Sequence, residues 1–431
     1  MRGGLFAPFD RTRVADRYRA RVPHGHGHGH AGDESNLHIP LQLRRLLALA
    51  VVPIVVATLI GILLLWPSGR GPNIGALLGQ SGDLVRATVV RVETEPCIGS
   101  PDDSPDRCQH LRVRITNTRH EGKTVRLESG GGAGAPLVHE GDKILLGESP
   151  SGEGGPQFYF ADFQRDAPIG LLFVLFVAAA IVFGRWSGVR ALAALLASLL
   201  VLVWFVIPSV LRGHSPIAVA IVGAALIMLL VLYVTGGPNS QTTVAVLGTM
   251  LSLALIAVLA WVFVEACNFT GLADEDAVFL SAAAGQINLR GLLLGGMVIG
   301  ALGVLDDMTV TQVSAVWELR RASDRYDARS LYRAAERVGR DHIASTINTL
   351  VLAYAGASLP LMIFFTQSNM QLRHILTSEV IAVEVVRTLV GSIGLIASVP
   401  ITTALASFVV TRPHVEAEGP AALPDTAPHD G

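Results

Sequence analysis

Residues 291–321 read GLLLGGMVIGALGVLDDMTVTQVSAVWELRR. An apolar, glycine-rich run passes without a spacer into the acid pair Asp306-Asp307, then into alternating polar and apolar residues. Continued as a helix, Asp307, Thr311, Ser314 and Glu318 recur at steps of four, three and four, so they share one face. A membrane helix that carries carboxylates and hydroxyls to the bilayer boundary is a candidate path for an ion or small polar solute. The bland alternative is that the acid pair marks the membrane boundary or caps a following helix. Gly291-LLL-Gly295 and Gly296-MVI-Gly300 are small-xxx-small patterns that let helix backbones approach closely. Trp317, Arg320 and Arg321 read as interfacial anchors.

Composition agrees with a membrane setting. Of 431 residues, 51% are hydrophobic and 16% charged, and the mean hydropathy is +0.49; soluble chains carry roughly 25% charged residues. Apolar runs at 46–66, 168–184, 189–210, 216–234, 243–266, 287–305, 344–365 and 384–410 suit crossing helices. The expected fold is a polytopic α-helical membrane protein of about eight transmembrane helices with an inserted small all-β domain. Residues 1–45 form a basic N-terminal segment, expected to be disordered, and 46–66 an uncleaved anchor. Residues 67–167 form the β-domain, and 168–411 a seven-helix bundle with an Arg-rich loop at 306–343. Residues 412–431 form a disordered tail. Segment 277–285 could instead dip back into the bilayer.

Within 67–167, polar and apolar residues alternate between Gly, Pro and Asp turns, which predicts strands at 85–93, 111–117, 124–128, 143–147 and 158–164. Five short strands fit a small barrel of OB or SH3-like type. Arginine placement puts both termini and the segment with Arg325, Arg329, Arg333, Arg337 and Arg340 on the cytoplasmic side, and the β-domain outside. Cys97 and Cys108 then share an oxidising compartment, where a disulfide closes one loop.

Glu384 and Arg387, three apart, pair on one helix face and belong to the same candidate path. The alternating His24, His26, His28 and His30 can hold a divalent transition metal weakly, but glycines between them argue against a rigid site. No cofactor is expected otherwise. There is no GxSxG, HExxH, Walker A or Rossmann pattern, so no catalytic residue is assigned. The scarcity of lysine (Lys123 and Lys143) reflects genome composition and not a nucleic-acid partner.

The layout resembles the YibE/F family of bacterial multipass membrane proteins over about residues 46–411. The resemblance rests on the anchor, on the β-domain's Glu121-Gly-Lys123 and Gly141-Asp-Lys143, and on Gly303-Val-Leu-Asp306-Asp307-Met-Thr-Val-Thr311-Gln312. It also rests on Ser378-Glu379-Val-Ile-Ala-Val-Glu384-Val-Val-Arg387. It implies a multi-pass protein of the bacterial plasma membrane, with transport as the suspected role. The leading expectation is therefore a permease-like protein whose acidic residues line a wet crevice. The competing one is a non-transporting scaffold, a homo-oligomer or partner of envelope proteins that binds through its β-domain and Arg-rich segment.

Overall fold

The computed structural model describes residues 40–69, 84–96, 107–117, 121–129, 136–149, 157–273, 275–283, 287–323, 325–367 and 371–412. The His24–His30 tract, Cys97 and the tail beyond 412 lie outside these residues.

After α1 (Leu41–Leu64) come five strands, β1 (Val85–Pro96), β2 (Arg107–Ile115), β3 (Thr124–Ser129), β4 (Lys143–Ser149) and β5 (Gln157–Phe163). They form one antiparallel sheet in the order β3-β2-β1-β4-β5. Alternation decides its inner face: Val85, Ala87 and Val89, then Leu111, Val113 and Ile115, then Ile144 and Leu146 are all buried in one core. The sheet curls around that core. Gln109, buried beneath it, accepts from Val138 N (2.9 Å) and donates to Val138 O (3.1 Å), fixing the segment that leads into β4. Cys108 is buried and disulfide-bonded.

The helical part continues with α2 (Asp166–Val201), a π-helical turn (Leu202–Val206) and α3 (Ile207–Leu211). Next come α4 (Pro216–Gly236), α5 (Ser240–Ala266), the short α6 (Glu275–Ala283) and α7 (Leu289–Ala322). Then follow α8 (Ala328–Ala357), α9 (Leu359–Gln367), α10 (Leu372–Thr377) and α11 (Glu379–Val410). Among the described residues, six helical stretches are long and apolar enough to cross a membrane. Two features account for the difference from the eight runs read in the sequence.

The first is the 46-residue stretch Asp166–Leu211. Arg185 inside it has φ 50° and ψ −132°, close to the first central position of a type II′ turn, where glycine is usual. A Cβ on Gly188 would lie 1.9 Å from the carbonyl oxygen of Ala180. Eight residues of straight helix span about 12 Å, so the chain reverses at Arg185. Its arms, 166–184 and 186–211, measure about 28 and 39 Å at 1.5 Å per residue, each close to or beyond the hydrocarbon thickness of about 30 Å. The second is the run 344–365, which is split at Ser358 between α8 and α9. Pro360 sits in the first turn of α9, where its missing N–H does no harm.

The Arg-rich connection at 306–343 is almost wholly helical among its described residues, shared by the end of α7 and the start of α8. Asp327 caps α8, accepting from Ser330 N at 3.1 Å. The Ser330 hydroxyl and amide hold its carboxyl below the usual carboxylate range. The nine-residue α6 covers 277–283, the described part of the segment read as dipping back; it is too short to cross a bilayer.

Candidate functional site

α7 is the organising helix. Its first turns meet α4 through two of the four glycines singled out in the sequence. A Cβ on Gly295 would lie 2.9 Å from Ala220 Cβ, and one on Gly291 would lie 3.4 Å from Pro216 Cδ. Gly296 faces open space, and Gly300 looks toward the Tyr354 hydroxyl, 3.9 Å from its Cβ position. Closer approaches than these lie elsewhere in the bundle. Cβ atoms would fall 2.1 Å from Ile256 Cγ1 at Gly394, 2.5 Å from Thr402 Oγ1 at Gly248, and 2.5 Å from Val399 Cγ1 at Gly339. These contacts draw α5, α8 and α11 together around the far half of α7.

Which face of α7 turns inward decides the chemistry. Leu302, Leu305, Thr309, Gln312, Val313 and Val316 are buried. The stripe Asp307, Thr311, Ser314 and Glu318 lies on another side: Asp307, Thr311 and Glu318 are exposed and Ser314 is half-buried. Asp307 is 73% exposed, with Oδ2 3.8 Å from His342 Nε2 on α8. Glu318 is 69% exposed and pairs with Arg321 at 2.7 Å. Ser314 accepts from Gln241 Nε2 of α5 at 3.0 Å. The described neighbours therefore do not gather the stripe into an enclosed crevice. Asp306, one residue earlier and about 100° around the helix, differs: it flanks the buried face, and its Oδ1 is buried without a hydrogen-bond partner. Trp317, expected at the interface, is only 4% exposed. Its helix position sets it beside the buried Val313 and Val316, so packing outweighs its interfacial preference.

The inward face carries polar groups that the stripe reading missed. Gln312, 2% exposed, donates from Nε2 to Ala335 O of α8 (2.9 Å) and to Thr403 Oγ1 of α11 (2.7 Å). Thr309 Oγ1 donates to Leu305 O, and Thr249 Oγ1 of α5 lies 2.7 Å from it. Ser252, Ser398, Thr402 and Ser407 are buried around them. Among the described residues, Ser392 Oγ, Thr402 Oγ1, Ser407 Oγ and Arg387 Nε are buried and make no hydrogen bond. The only clue in the sequence was one glutamine with hydroxyls inside an apolar run.

α11 begins at Glu379, which sets Glu384 and Arg387 one to two turns into the helix. Arg387 Nη1 donates to Glu384 Oε1 at 2.6 Å, with both side chains about a quarter exposed. Glu384, Arg387, Gly391, Gly394, Ser398 and Thr402 follow at steps of three or four and share one face. Beside Arg387 lies a cavity of about 10 Å³ lined by Met297, Gly300, Tyr354, Gly391 and Leu395 among others, roughly room for one water. Glu384 lines an apolar cavity of about 370 Å³ between α8, α9, α10 and α11. No group of three or more metal-ligating side chains forms among the described residues.

Long apolar helices packed around buried hydroxyls and amides define an integral membrane protein. Residues 172–412, more than half of the chain, match the YibE/F-like protein family, and the chain belongs to it. No curated protein and no solved structure matches the chain.

Proposed function

We propose that the protein is a permease-like carrier in a bacterial plasma membrane. It moves an ion or small polar solute along the polar seam between α5, α7, α8 and α11. Both termini then lie in the cytoplasm, the bundle and anchor make eight crossings, and the β-domain stands outside as a small barrel of OB or SH3-like type, with β3 and β5 as the edges of its sheet. The observation that carries this reading is the set of unpartnered buried polar atoms. From Arg387 to Ser407, twenty residues of α11 span about 30 Å, matching the hydrocarbon core. Leaving a buried donor or acceptor unsatisfied costs about 1–3 kcal/mol, so a chain that keeps several along one path gains from a polar guest that visits them. Asp306 supplies a charge near the middle of this span, level with Leu395 and Val399 of α11, and the Glu384–Arg387 pair supplies charge at one end.

The test is flux into proteoliposomes, screened for protons, monovalent and divalent cations and small organic solutes. Asp306→Asn is expected to abolish the flux that wild type shows, while Asp307→Asn, altering an exposed carboxylate, leaves at least half of it. Flux untouched by Asp306→Asn removes the acid from the mechanism. Wild-type liposomes that pass none of the solutes, together with partners captured only when 70–165 is present, favour the scaffold reading.

A further inference from the structure

The first half of α8 carries arginines at 329, 333, 337 and 340, all exposed. At 100° per residue they fall within about 80° of the helix circumference. Leu331, Ala334, Ala335 and Gly339 of the same turns are buried against the bundle, so the arginines stand on the outward side. The nearby acids do not neutralise them. Glu336 reaches Arg340 only at 3.9 Å, and Arg329, Arg333 and Arg337 have no acidic partner among the described residues.

Their depth follows from the register of the bundle. The turn between α4 and α5 is closed by Asn239, which donates to Gly236 O at 2.7 Å and accepts from Thr242 N at 2.8 Å. A turn this short between two apolar helices marks the membrane boundary. Gln241, just beyond it, bonds Ser314, and Gln312, two residues away, bonds Ala335 O. Ala335 therefore lies near the boundary. Arg333 and Arg337 flank it at headgroup depth, within a zone about 5–8 Å thick. Arg329 lies about 9 Å above Ala335, and Arg340 about 7 Å below, within reach of the interface by snorkelling.

We infer that this arginine face of α8 binds the phosphate headgroups of anionic lipids in the adjoining leaflet. Guanidinium forks suit phosphate oxygens, and their spacing along some 16 Å of helix accommodates two headgroups side by side. The site is independent of the seam, because it lies on the opposite side of α8.

The experiment uses the full chain in nanodiscs of phosphatidylcholine with an added fraction of phosphatidylglycerol. The lipid that stays with the protein after detergent exchange is quantified. Wild type is expected to retain phosphatidylglycerol preferentially. Arg333→Gln with Arg337→Gln is expected to lower that preference about 25-fold, at about fivefold per arginine near a charged surface. Arg114→Gln with Arg126→Gln, on the exposed face of the β-sheet, is expected to leave it unchanged. The preference should also fall with added salt. An unchanged preference in the α8 variant, or none in wild type, overturns the inference. So does complete loss of the preference on adding inorganic phosphate at an ionic strength matched with chloride, which would make the ligand a soluble anion. Capture of an acidic protein on this face without any lipid preference also overturns it.

Discussion

Replacing Gln312 separates the two ways a buried amide can serve a membrane bundle. Its Nε2 ties α7 to α8 and α11 through two bonds of 2.9 and 2.7 Å. Inter-helix hydrogen bonds in membranes average about 0.6 kcal/mol each, with a maximum near 1.7, so the pair contributes about 1 kcal/mol and at most about 3. Gln312→Leu nearly keeps the volume and leaves Thr403 donating to Val399 O at 2.6 Å, so no new orphan appears and the cost should stay near 1 kcal/mol. Gln312→Ala adds an unfilled cavity between three helices and should cost about 2–5 kcal/mol. Reversible unfolding in mixed micelles titrated with SDS measures both. A double-mutant cycle with Thr403→Val should return a coupling near 0.6 kcal/mol. Leucine that stabilises the protein, with zero coupling to Thr403, would refute a structural role for the amide.

Two further predictions concern the backbone. Gly394→Ala places a methyl group 2.1 Å from Ile256 Cγ1. It should destabilise the same unfolding transition by about 1–3 kcal/mol, and Ile256→Ala should restore part of the loss; unaltered stability would contradict the α5–α11 contact. Arg185→Gly relieves a positive φ of 50° and should stabilise by about 1 kcal/mol. Arg185→Pro should disrupt the hairpin, because proline cannot adopt that φ. A neutral outcome for both would argue against a chain reversal at this residue.

The strands were legible because alternation over five to seven residues leaves one choice of inner face, and β1, β3, β4 and β5 begin within a residue of the expected positions. The start of β2 at Arg107 was hidden because its first residues follow a polar, proline-containing stretch of sequence. The reversal at Arg185 was readable from the basic residues that interrupt two apolar runs. The candidate site was only half legible. Helical periodicity says which residues share a face, but not which face turns inward when both are mixed. On α7 the outward face carries the conspicuous carboxylates of Asp307 and Glu318. The inward face carries Thr309 and Gln312, whose apolar neighbours disguised them. Single glycines such as Gly248, Gly339 and Gly394 gave no pattern at all, since the contacts that require them join helices far apart in the chain.

The claim on which the account turns is that the seam admits water, and cysteine accessibility tests it directly. In a background with the exposed, free Cys267 replaced by serine, cysteines at Ser398 and Thr402 should react with a small hydrophilic thiosulfonate, and a bound polar substrate should slow that reaction. A cysteine at Ile393, which is exposed on the outer surface of α11, should stay unreactive in lipid. Labelling at 393 with silence at 398 and 402 would mean a dry, solid bundle and would contradict the proposed path.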